Sequence, residues 1–129
     1  LGLFRATRNE AAKIYQQCLN NDWRRIILVG DGDLAEIFAM SAPEGLKQMA
    51  IFCESNAKLD NLSGIERIQQ IDDIANFDAA IICRLHSPLE AHDAVSAFLP
   101  KERIMAPGFL GIDRMRRHAP DDIDDKGAT

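Results

Sequence analysis

The residues in this chain best suited to chemistry form the run Gly30-Asp31-Gly32-Asp33-Leu34-Ala35. It follows the short β-branched stretch Arg25-Ile26-Ile27-Leu28-Val29 and leads into Leu34, Ala35, Ile37, Phe38 and Ala42, which recur at helical spacing. The first glycine permits a tight turn off a strand, and the second lets backbone approach a diphosphate. The small residue three positions further on allows a helix to pack closely on that strand. The start of the helix offers unpaired N–H groups and a partial positive charge to an anion, so a phosphate fits there without a lysine. Asp31 and Asp33 place carboxylates in the same turn, where they point away from an anion or cap the helix.

A ribose-binding acid is expected at the end of the next strand, roughly 20 residues onward. Glu54 stands there, directly after the apolar run Gln48-Met49-Ala50-Ile51-Phe52-Cys53. A carboxylate at that point accepts hydrogen bonds from ribose hydroxyls and repels a 2'-phosphate, which favours NAD over NADP. His86 lies in the loop after a later strand, where open α/β sheets place their ligands, and is a candidate ligand contact or acid–base group. The candidate binding set is therefore Gly30, Asp31, Gly32, Asp33, Leu34, Ala35, Glu54 and His86. His92, inside the following helix, and His118, near the end of the chain, are read as exposed bystanders.

No catalytic or metal-ligating residue is assigned. The only tyrosine, Tyr15, precedes the first strand and has Leu19 four positions later, so a Tyr-x-x-x-Lys pair is not available. A methyltransferase turn would carry a third glycine, and Arg84-Leu85-His86-Ser87-Pro88 replaces the usual Pro-Pro-aromatic substrate motif. Cys83 and His86 have C-x-x-H spacing, yet no second pair completes a four-ligand set. Cys18, Cys53 and Cys83 are odd in number and far apart, the pattern of buried reduced thiols in a cytoplasmic protein.

These residues need a scaffold of alternating elements. Thr7 followed by Glu10 reads as a capping box opening a first helix, with Ala11, Ile14, Tyr15, Cys18 and Leu19 on its apolar face. After the two strands described above come a weak strand at Glu66 to Gln69 and a single helical turn at Ile71-Asp72-Asp73-Ile74. A buried strand follows at Asp78 to Cys83. A helix is opened by the capping box Ser87-Pro88-Leu89-Glu90, carries Ala91, Ala94, Val95, Phe98 and Leu99 inward, and ends at Pro100. Arg103 to Ala106 forms the last strand. This alternation predicts an α/β fold, a Rossmann-like three-layer sandwich with a mostly parallel sheet of about five strands. The divisions are an N-terminal helix at 1–22, a nucleotide-binding domain at 23–112 and a disordered tail at 113–129, rich in Asp and without apolar periodicity.

The 129 residues suit one domain, and no apolar stretch is long enough to span a membrane. A net charge of −5 supplies no basic face, which excludes direct nucleic-acid binding by this domain. The opening Leu-Gly-Leu-Phe-Arg-Ala-Thr-Arg lacks the apolar core and cleavage site of a secretory signal, and the start at Leu1 fits a fragment of a longer protein.

Residues 25–37, Phe77-Asp78-Ala79-Ala80-Ile81-Ile82 and Glu102-Arg103-Ile104-Met105-Ala106-Pro107 together carry a resemblance. They resemble the Rossmann-like, CoA-binding-type domain that follows a winged-helix module in some bacterial transcriptional regulators linked to polysaccharide genes. The N-terminal domain of bacterial sugar O-acyltransferases and NAD-dependent sugar epimerases share the opening pattern. The resemblance implies Gly30, Gly32 and Ala35 as the phosphate turn and carries over no catalytic residue. Such domains usually have an aspartate pair after the second strand, where this chain has Glu54-Ser55-Asn56. Three readings stay open. One is a non-catalytic, ligand-sensing domain of a regulator that binds NAD, CoA or a nucleotide sugar and dimerises through its first helix. Another is the cofactor domain of an NAD-dependent oxidoreductase or nucleotide-sugar-modifying enzyme. The third is a structural interaction module with an empty turn.

Overall fold

β-Branched and aliphatic runs too short for stable helices become strands when both of their faces are covered. The computed structural model describes residues 2–53 and 65–112 and contains five such strands. In chain order the elements are α1 (Gly2–Asn20), β1 (Arg25–Gly30), α2 (Gly32–Met40), β2 (Gln48–Phe52), β3 (Glu66–Ile68), β4 (Ala79–Cys83), α3 (Pro88–Val95) and β5 (Ile104–Met105). A 3₁₀ helix of two turns lies at Ile71–Asn76, and single 3₁₀ turns lie at Lys101–Arg103 and Gly108–Leu110. Every strand pair is parallel and the spatial order is β3-β2-β1-β4-β5. The chain builds outward from β1 through β2 to β3, then returns to the other side of β1 and continues through β4 to β5. That reversal opens a crevice at the carboxyl ends of β1 and β4, as in other Rossmann-like sheets.

Adjacent side chains of a strand point to opposite faces, and β5 shows what covers each. Met105 meets Cys18 of α1 through a 3.9 Å sulfur contact, whereas Ile104 lines a cavity with His92 of α3. Helices α1 and α2 share a face, pinned together by the Tyr15 hydroxyl, which donates to the Phe38 carbonyl at 2.6 Å. The central strands β1 and β4 are buried almost throughout; Ile26, Ile27, Leu28 and all of Ala79 to Cys83 are fully enclosed. Among the described residues no helix is long and apolar enough to cross a membrane.

Two helix starts differ from the sequence expectation. Helix α1 runs straight through Thr7, which is fully buried, because Thr7 lies one turn before Ala11 and extends the apolar stripe toward the N-terminus. Glu10 does not close a capping box there; its Oε1 accepts the Gly108 N–H at 2.7 Å. At α3, Pro88 does occupy the first turn, but Ser87 sits in the left-handed region at φ +48° and forms no side-chain cap bond. The helix also stops at Val95 rather than Pro100, and a run of turns carries Leu99 back into the core. The 113–129 segment lies outside the described residues.

Candidate functional site

Register fixes the geometry at the crevice. Val29 pairs with Phe52 on one side and Ile82 on the other, and Gly30 pairs with Cys83, so β1, β2 and β4 end nearly level. Gly30 has φ +154°, and a Cβ there would overlap the Cys83 carbonyl, so β1 can lie this close to β4 only with glycine. Gly32 opens α2 with φ +70°, and a Cβ built on it would meet nothing within 4 Å. The first turn of α2 therefore presents bare backbone to open space. Ala35 is fully buried and Leu34 is 2% exposed, so both side chains serve the packing of α2 on the sheet.

Between the strand ends lies a cleft of about 110 Å³. Its floor is Val29 and Phe52; Gly30 and Asp31 form one side, Cys53 continues it at the end of β2, and Arg84 and His86 come from the loop after β4. Asp31 takes the N-cap position of α2 with extended backbone, yet its carboxylate makes no cap bond. Its Oδ2 instead accepts the half-buried Cys53 thiol at 3.7 Å. Arg84 donates from Nε to the His86 carbonyl at 2.8 Å, which folds the β4–α3 loop back on itself. The cleft thus has an acidic wall and a basic wall. Beneath it, burial pushes the Cys83 thiol well up, and burial likewise pushes Cys18 up to about 12. Tyr15 is raised by burial first and by the neighbouring Cys83 and Cys18 next. All three stay protonated at neutral pH and belong to the core.

Of the residues singled out in the sequence, Gly30, Asp31 and His86 come together in this cleft, with Gly32 exposed beside it at the start of α2. Asp33 is exposed on the first turn of α2 and is not in the cleft lining. Glu54 lies outside the described residues. Cys83, one half of the C-x-x-H spacing, is enclosed in β4 while the His86 side chain is exposed. His92 corrects the expectation of an exposed side chain: it is only 12% exposed and lines a second cavity of about 220 Å³ with Ile104, Ala106, Pro107 and Gly108. Arg84 and Cys53 were missed as site residues. The available signal was positional, since each directly follows a buried run that ends level with Gly30.

No family model, curated protein or solved structure matches the chain.

Proposed function

We propose that this chain is a non-catalytic, ligand-sensing nucleotide-binding domain and that its ligand seats at the β1–β4 crevice. The observation that carries the reading is Gly32: a left-handed glycine with open space beyond it, at the first turn of a nine-residue helix, beside a cleft at the switch point of a parallel sheet. Backbone N–H groups and the helix dipole favour an anion there. Arg84 and His86 on the facing loop add donors from side chains. The resemblance to the CoA-binding-type domains of polysaccharide-linked regulators supports a role in a bacterial cytoplasmic regulator, with NAD, CoA or a nucleotide sugar as ligand and a homodimer formed through α1. The enzyme reading, a cofactor domain whose substrate domain lies elsewhere, draws on the exposed His86 at the mouth of the cleft.

A thermal-unfolding panel with NAD, NADP, CoA, S-adenosylmethionine and UDP-sugars tests the proposal. A ligand at about 100 times its Kd adds roughly 2.7 kcal/mol, on the order of 10 °C for a domain of this size. The expected result is a shift with one ligand class that disappears in Gly32→Asn. Asparagine tolerates the left-handed conformation better than other side chains, so that variant blocks the open space while sparing the fold. A panel without any shift makes the domain a structural interaction module instead.

A further inference from the structure

Resting on that reading, we infer that Asp31 is the hydroxyl acceptor of the cleft and that the group it receives is the unsubstituted ribose of a nucleoside phosphate. An aspartate at an N-cap ordinarily accepts an N–H from its own helix. Asp31 does not. Its backbone is extended at φ −153° and ψ −179°, and its carboxylate turns toward the end of β2, where the Cys53 thiol is its hydrogen-bond partner. A carboxylate is thereby held between the ends of β1 and β2. That is the region a ribose-binding acid occupies when it comes from the residue after the second strand.

The chemistry of the partners favours a diol. A carboxylate has about four lone-pair sites, and a thiol is a weak donor, so most of Asp31's accepting capacity is unmet by Cys53. Two vicinal hydroxyls supply two strong O–H donors to one carboxylate. The cleft, about 110 Å³ and open on one side, is small, so only part of a nucleotide enters it. The ring enters; the phosphate lies outside it, away from Asp31, toward Arg84 and the backbone of Gly32. A 2'-phosphate would bring a second anion against Asp31, and a 2'-deoxy sugar would leave the carboxylate without one donor.

Titration calorimetry on the full chain with AMP and UMP, and with the 2'-deoxy and 2'-phosphorylated form of each, tests the assignment. A hydrogen bond to a charged group corresponds to about tenfold or more in affinity. The wild-type chain is expected to bind at least one ribonucleotide about tenfold more tightly than its two analogues. Asp31→Asn loses that preference while its thermal unfolding midpoint stays near that of the wild type. An Asp31→Asn chain that binds nucleotide with the preference intact overturns the inference. Wild-type binding without any preference overturns it while leaving the nucleotide-binding reading intact, and failure of every nucleotide to bind overturns both.

Discussion

The two strand-to-helix junctions at the carboxyl edge of the sheet are built in opposite ways. β1 enters α2 through Asp31 alone, flanked by glycines at φ +154° and +70°. β4 enters α3 through Arg84, Leu85, His86 and Ser87, a loop of side chains whose last member is a non-glycine residue at φ +48°. The first junction offers backbone and the second offers side chains. They touch where the missing Cβ of Gly30 faces the Cys83 carbonyl, so the narrowness of the cleft is set by packing between the two turns. The proposed site draws on both: a bare turn for a ligand's approach, and a charged loop opposite Asp31.

The largest expected effect comes from forcing the junctions apart. Gly30→Ala drives a Cβ into the Cys83 carbonyl at a backbone angle that alanine resists, which costs about 3 kcal/mol or more. Its chemical denaturation midpoint falls accordingly. If the stability is unchanged, the two turns do not constrain each other.

Alkaline pH acts on the buried core. Cys83 and Cys18 have raised pKa values in the folded state, so above about pH 9 the unfolded chain releases protons that the folded chain keeps. Their contribution is fully present below that pH and falls as the pH rises, by up to about 1.4 kcal/mol per pH unit for each thiol. Denaturant melts at pH 8 and pH 10 should differ by about 2 kcal/mol, and the gap should narrow in Cys18→Ala.

The two turns differ again in what a substitution at their exposed ends does. Gly32→Asn costs at most about 1 kcal/mol of stability in the unliganded protein, since the new side chain enters open space. Ser87→Gly has the opposite sign: it relieves a left-handed serine that forms no cap bond, and it stabilises by up to about 1 kcal/mol. Paired thermal melts of the two variants read both effects.

The glycine turn and three longer-range features of the fold, namely strand count, parallel pairing and the helix after β4, were legible because each rests on a local run or on handedness. Where reading failed, tertiary contacts overrode a local polar signal. Thr7 looks like a cap only until α1 is seen to continue its buried stripe past it, and Ser87 cannot cap from a left-handed backbone. Arg84 and Cys53 were invisible as a pair because they are 31 positions apart and meet only through the register of three strands. The direction of the Asp31 side chain was left open by its sequence position, since it depends on the Cys53 thiol at the end of β2.

The claim that the paired junctions form the ligand site is tested most directly by following backbone amide resonances during a titration with AMP and UMP. Shifts are expected at residues 29–33, at Phe52 and Cys53, and at residues 84–87. Shifts centred instead on His92 and Gly108–Ile112, around the second cavity, or no shifts at saturating nucleotide, would contradict it.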